Sequence, residues 1–383
     1  MRKIINFFKL DISGNRIFGL DVLRAAAIFF VVFNHSFILL PKEFGNFFEK
    51  HFVYDGVTLF FVLSGFLIGG ILIKTFEKNG ISFRVITDFW KRRWFRTLPA
   101  YYLTALIILL LNILFKPQFI IQSSFKYFVF LQNLTRNITF DFFPESWSLS
   151  IEEIFYLITP MILYMMIKIF HIKLKWSVFF TILSIVVCVL LFRLYRFYFS
   201  ELPHNWRISF SMRVSTRLDS LMYGVLGAFI NYYYPKIFKK NKFHLLMFVA
   251  GILILIADKY FIPGFFKSIA EKNIYSNVFR FSAVPFAVML LLPYLYQMKH
   301  PKNMNFITKI SLISYSMYLL NLTLILDWFI RKFWAKTIHI ENYNLKIISN
   351  YTLYWVLLFA FSTVMYKYIE LPFLKYRDRI TKK

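Results

Sequence analysis

One cysteine in 383 residues is too few for a disulfide framework or a metal-thiolate cluster. Cys188, inside "ILSIVVCVLL", reads as lipid- or core-facing filler. Charge is scarce as well: only 17% of residues are charged, and Asp and Glu number 19 against 46 Lys and Arg. With 58% hydrophobic residues, including 50 Phe and 24 Tyr, this balance excludes a water-soluble domain. The sequence also lacks an A-x-A-like cleavage site after its first apolar run, so a removed signal peptide is not expected. No internal repeat, low-complexity tract or soluble appended domain stands out.

What is present is a series of long apolar runs. The formal charge of +27 is spread through short segments between these runs instead of being gathered in one domain, which argues against a nucleic-acid partner and for membrane topology. Runs of about 17–25 apolar residues can cross a bilayer as helices. They are expected near 17–38, 54–74, 97–116, 147–169, 177–195, 214–233, 243–260, 280–298, 308–330 and 350–368. If residue 1 is cytoplasmic, the basic junctions "KTFEKNGISFRVITDFWKRRWFR", "KIFHIKLKW", "PKIFKKNKF" and "QMKHPKNMNFITK" and the tail "KYRDRITKK" all fall inside, as the positive-inside rule requires. The opposite set carries Arg193, Arg196, Arg207 and Arg213 mixed with Glu201, His204 and Asn205. The expected fold is therefore an all-α integral membrane bundle of about ten transmembrane helices with both termini cytoplasmic. It forms a single domain over 1–383, with a basic lead-in at 1–16 and a basic tail at 369–383.

Three places carry charge where lipid should be. Arg24 and His35 are eleven residues apart, so on a helix they lie within about 20° of one face and about 16 Å apart along the axis. An intramembrane arginine costs about 2.5–3.5 kcal/mol even on lenient insertion scales and normally faces the bundle interior or a watery cavity. A purely structural alternative has Arg24 snorkelling to headgroups and His35 bonded to a neighbouring carbonyl, with Asp21 placed to pair with Arg24 at i,i+3. The second place is "FWKRRWFRTLPAYY", where Arg92 and Arg96 share a face beside Arg93, and Trp90, Trp94 and Tyr101 supply rings. Guanidinium groups grip phosphates, so a phosphorylated nucleotide-bearing ligand suits the segment, as does a topogenic cluster on lipid phosphates. The third is "PESWSLSIEEIFYLITP", where Ser148, Glu152, Tyr156 and Thr159 share one side and Glu153 lies about 100° away. Both glutamates are expected near the depth of His35, where one would orient the imidazole or steady its charge. Pairing with Arg213, Arg217 or Arg280 is the alternative. Asp219 is expected to pair with Arg213 or Arg217, Gly65-x-x-x-Gly69 to permit close helix approach, and Glu370-x-Pro372 to close the last helix.

These stretches resemble the acyltransferase-3 family of membrane proteins over nearly the whole chain and in order. "LRAAAIFFVVFNHS" is similar to its Arg/Lys-x10-His signature and "DGVTLFFVLSGFLIGGIL" to its second-helix motif. Arg92-Arg93-x-x-Arg96-x-x-Pro99-x-Tyr101 looks like its arginine motif, and "SWSLSIEEIFYLITP" like its Trp-Ser-Leu-x-x-Glu-Glu stretch. "TRLDSLMYGVLGA", "ISYSMYLLN" and "YIELP" match later landmarks. One departure is Asn321, where many relatives have histidine. The resemblance implies transfer of an acyl group, usually acetyl, from cytoplasmic acyl-CoA to a hydroxyl of a cell-surface sugar or lipid-linked acceptor, such as a polysaccharide or lipopolysaccharide of the cell envelope. It implies a multi-pass protein of a bacterial inner membrane that is similar to the stand-alone members. Acyl-CoA is then a substrate, with no permanently bound cofactor and no metal; the partners are acyl-CoA, the carbohydrate acceptor and membrane lipids, with no nucleic acid. Carried over residue by residue, His35 is the general base and Glu152 or Glu153 its support. Arg24, Arg92, Arg93 and Arg96 hold acyl-CoA, and Trp147, Ser148 and Tyr156 contact substrate. A direct transfer and an acyl-histidine intermediate are both open. A proton-coupled transporter or flippase is the rival class, since intramembrane His, Glu and Arg also suit a transport path.

Overall fold

The computed structural model describes residues 16–134, 142–199, 210–239, 241–261, 273–301 and 303–380, and among these the chain is helical without strands. The principal helices are α1 (Phe18–Ser36), α2 (Gly56–Asn79), α3 (Phe83–Phe115), α4 (Trp147–Lys168), α5 (Leu174–Phe199), α6 (Val214–Tyr233), α7 (Asn241–Ile256), α8 (Arg280–Gln297), α9 (Asn305–Leu320), α10 (Tyr343–Met365) and α11 (Leu371–Ile380). Nine helical stretches among the described residues are long and apolar enough to cross a membrane. The remaining expected span, 214–233, is α6, whose 20 residues include Arg217 and Asp219. The residues 201–209, with Glu201, His204, Asn205 and Arg207, and most of the 1–16 lead-in lie outside the described residues.

Polar side chains set several helix starts. Asp55 accepts from the Thr58 amide at 3.1 Å to begin α2, Ser82 accepts from Val85 at 3.3 Å to begin α3, and Asn342 accepts from Leu345 at 3.1 Å to begin α10. The Ser82 cap starts α3 well before the expected span at 97–116. At 33 residues, α3 is about 50 Å long, against a hydrocarbon core of about 30 Å, so the arginine cluster rides on the spanning helix itself. The last helix does not close at Glu370-x-Pro372 either. It passes through a π-helical stretch, Tyr366–Glu370, into α11, with Pro372 in the first turn, where its missing amide costs no bond.

The bundle is assembled by backbone proximity more than by hydrophobic burial, because lipid is as apolar as the helix faces. Leu110, Leu114, Leu191, Leu246 and Leu253 are all exposed on its outer surface, as lipid contact requires. Inside, α2 and α6 cross at glycines: a Cβ on Gly65 would lie 1.9 Å from the Leu221 carbonyl oxygen, and one on Gly224 2.1 Å from that of Val62. Gly69 continues the seam against Val225, so the Gly65-x-x-x-Gly69 pattern serves close approach, as its spacing implies. Against this pair, α1 packs on α2, α8 and α9.

Candidate active site

A cavity of about 620 Å³ lies between α1, α2, α3, α4, α9 and the final helix. One end is basic: Arg16, Arg24, Arg92, Arg93, Arg96 and Arg377 line it together with Asp88, Glu152, Glu370 and Asp378. The other end is lined by Val57, Phe60, Ser148, Leu149 and Tyr318. Arg16, just before α1, Arg24 within it, and Arg92 and Arg96 one turn apart on α3 converge on the same space.

The arginines are not equivalent. Arg93 donates to the Tyr156 hydroxyl, reaches Glu152 at 3.4 Å, and stacks over the Tyr156 ring with 4.2 Å to the centroid. Tyr156 in turn donates to Glu152 at 2.6 Å and meets Ser64 at 2.5 Å, while Trp90 donates to the Tyr156 carbonyl at 2.9 Å. Arg16 is tied to Asp21, which also accepts from Ser311 at 2.6 Å. Arg24 and Arg96 make no hydrogen bond or ion pair among the described residues, although each lines the cavity and each repels the other. Asp21 is the carboxylate that acts on Arg24 and Glu370 the one that acts on Arg96, but Asp21 is bonded to Arg16 and Ser311 and Glu370 to Ser316. Two guanidinium groups without a hydrogen-bonded or ion-paired protein partner in a partly enclosed space suit an anion.

His35 sits in the last turn of α1, half-buried, with its Nδ1 at 2.5 Å from the Asn321 side-chain oxygen. Asn321 is fully buried and begins a 14-residue π-helical stretch, Asn321–Trp334, directly after α9. Wide turns of this kind interrupt regular helices frequently at functional positions. Three residues before Asn321, Tyr318 donates to the Glu145 carbonyl at 2.8 Å and therefore accepts from Ser148 at 2.6 Å. Glu145, buried, accepts from the Thr323 amide at 3.0 Å and from its hydroxyl at 2.6 Å. The imidazole thus lies one helical turn beyond the cavity's end at Tyr318 and Ser148, outside its lining.

Several expected pairings are replaced. Neither glutamate of α4 meets His35: Ser148 is level with Tyr318, and Glu152 lies a further turn inward, so by helical rise it is about 10 Å deeper than Asn321. There a guanidinium from the extended α3 captures it, as a charge in low dielectric demands. Glu153 faces α3 instead, where Thr97 donates to it at 3.0 Å, and it stays outside the cavity lining. Of the expected substrate contacts, Ser148 lines the cavity. Trp147 does not: it packs edge-on against Phe61 at 6.0 Å. Tyr156 is buried behind Arg93. Asp21 pairs with Arg16 and not Arg24. Asp219 pairs with Arg193 from α5 and not with Arg213 or Arg217, because Arg217 is held by Thr58 at 2.6 Å and Asp55 at 3.4 Å. Arg280 meets Asp258 at 3.1 Å. Sequence reasoning missed Arg16, Ser64, Glu145 and Tyr318. Glu145 carried a signal, a carboxylate directly after Pro144 at the start of a motif, whereas Ser64 and Tyr318 look like ordinary helix-packing residues.

An all-helical membrane bundle with an arginine-lined cavity ending beneath a hydrogen-bonded imidazole has the parts of a membrane group-transfer enzyme. The chain belongs to the acyltransferase-3 family, whose profile, described as an acyltransferase domain, matches residues 17–367. It is similar to the peptidoglycan O-acetyltransferase OatA of Listeria monocytogenes, with 32% identity over 163 residues covering 39% of this chain and 24% of the relative. The O-acetyltransferase OatA of Staphylococcus aureus strain NCTC 8325 is 30% identical over 228 residues, 55% of this chain and 34% of the relative. A putative O-acetyltransferase of S. aureus strain COL is 30% identical over 226 residues, with the same coverages. The matched stretch spans about a third or less of these relatives' own length. No solved structure matches the chain.

Proposed function

We propose that this protein is a membrane O-acetyltransferase that moves an acetyl group from acetyl-CoA to a hydroxyl of an extracytoplasmic or lipid-linked carbohydrate of the bacterial cell envelope, with His35 as general base. The observation that carries this reading is the cavity in which Arg24 and Arg96 lack protein partners. With both termini cytoplasmic, the basic end opens inward, where the phosphates of CoA arrive. Arg96, Arg92 and Arg24 hold those phosphates, while Arg93, fixed by Glu152 and Tyr156, shapes the wall beside them. The pantetheine arm extends toward the less charged end at Tyr318.

The acceptor approaches from the opposite face. Its hydroxyl oxygen forms a bond to the thioester carbonyl carbon as His35 takes the hydroxyl proton. The carbon–sulfur bond then breaks, and the same proton passes from the imidazole to the departing thiolate, giving an acetyl ester and free CoA. General-base help of this kind contributes about 10²–10⁴-fold.

The experiment is acetyl transfer by the protein in liposomes, with release of free CoA as the readout, compared for the wild type and His35→Ala at equal amounts of folded protein. A loss of about 10² or more in kcat supports the assignment. Undiminished CoA release by His35→Ala would remove His35 from the chemistry, and transport of a sugar substrate without CoA release would place the protein in the transporter class.

A further inference from the structure

The hydrogen bonds around Asn321 fix more than a contact. Its side-chain nitrogen lies 3.2 Å from the Met317 carbonyl oxygen and 2.6 Å from that of Tyr318. A carbonyl oxygen only accepts, so the amide is oriented with NH2 toward α9 and oxygen toward His35. The flipped amide would set an oxygen against two carbonyl oxygens, leaving buried acceptors unsatisfied on both sides. The oxygen facing the imidazole is itself acceptor-only. A neutral imidazole carries one N–H, and the nitrogen at 2.5 Å from that oxygen is Nδ1. Nδ1 therefore holds the proton, and Nε2, which makes no hydrogen bond among the described residues, carries the lone pair.

We infer that Asn321 is a positioning residue that locks His35 in the Nδ1–H tautomer, so that Nε2 is the nitrogen that receives the acceptor's proton and returns it to the thiolate. The lock is braced from outside the helix. Asn321 opens the π-helical stretch, and in its first turn the amide and hydroxyl of Thr323 both donate to the Glu145 carboxylate. Tyr318, which supplies one of the two carbonyls orienting the amide, is clamped to Glu145 and Ser148 through its hydroxyl. Both ends of the short segment that carries Asn321 are thus fastened to the start of α4 and its preceding turn. During transfer the imidazolium keeps its Nδ1–H on the Asn321 oxygen while the second proton comes and goes at Nε2 alone. The catalytic half of this inference rests on His35 being the base; the tautomer half does not.

The test is alkylation of the full-length protein in lipid nanodiscs with iodoacetamide, followed by isolation of the His35 peptide, acid hydrolysis and separation of the two carboxymethylhistidine isomers. The wild type is expected to give the Nε2 isomer with little of the other, and Asn321→Ala a mixture. A wild-type product dominated by the Nδ1 isomer overturns the inference without any variant having to fold. In the acetyltransferase assay, Asn321→Ala is expected to lose about tenfold or more in kcat with the KM for acetyl-CoA unchanged, as a positioning role requires. An unchanged isomer ratio together with an unchanged kcat in Asn321→Ala also overturns it. If His35→Ala keeps its acetyl transfer while the wild type yields the Nε2 isomer, the tautomer stands and the assignment of the base falls.

Discussion

At the scale of single residues, the molecule separates arginines that are spent from arginines that are available. Arg93 is held by Glu152 and Tyr156, so Arg93→Ala removes a wall support as well as a charge. Arg96 has no such partner, and Arg96→Ala is expected to weaken acetyl-CoA binding by about 10–100-fold, the range of a lost charge-assisted hydrogen bond, while leaving the amount of folded protein unchanged. Equilibrium binding of CoA at several salt concentrations measures this; an unchanged affinity would mean that Arg96 faces only lipid phosphates. Arg193 and Asp219 form the opposite case, a pair fully enclosed between α5 and α6 with Ser282 accepting from Arg193 at 2.7 Å. Asp219→Ala strands the guanidinium and is expected to cost about 3–5 kcal/mol, visible as a lowered melting temperature in detergent. Spacing alone made Arg24 and His35 legible, since eleven residues on one helix fix a shared face. It could not supply the partner of His35. Asn321 lies 286 positions from His35. Depth counted from helix ends puts both glutamates near His35, whereas the long α3 brings Arg93 to Glu152 and the Thr97 hydroxyl to Glu153.

At the scale of elements, the apolar runs were legible because their length is set by the bilayer, and the structure returns helices at all ten expected positions. What the runs concealed is continuity. The Ser82 cap starts α3 early, and the final helix continues past Pro372, because backbone amides keep their partners through polar residues as readily as through apolar ones. The seam between α2 and α6 is the element-level feature with the sharpest consequence. Even the single methyl of Gly65→Ala would meet the Leu221 carbonyl oxygen at 1.9 Å, with backbone and not a flexible side chain in the way. The two helices must then separate, and Gly65→Ala is expected to lower the yield of monodisperse protein and its melting temperature more than Gly70→Ala, where the added carbon meets only the Ala228 side chain at 4.0 Å. Size-exclusion chromatography and thermal melts of the two variants measure the difference.

At the scale of the whole molecule, the proposal requires the arginine end of the cavity to face the cytoplasm. Lys116 follows the end of α3 opposite to its arginines, while α11 packs beside the basic half of α3, with the Phe95 and Tyr376 rings 5.6 Å apart. In a Cys188→Ser background, an impermeant maleimide added to intact cells is expected to label Lys116→Cys and to label Asp378→Cys only after lysis; the reverse pattern would invert the donor and acceptor sides. Orientation and chemistry also meet at the hydroxyl of Tyr318, clasped between Ser148 and the Glu145 carbonyl where the cavity ends. A channel wet from one face to the other would short-circuit the ion gradient on which a cell lives. In the proposed reaction the thioester must pass that phenol to reach His35, so the route has to admit the donor while the battery stays charged.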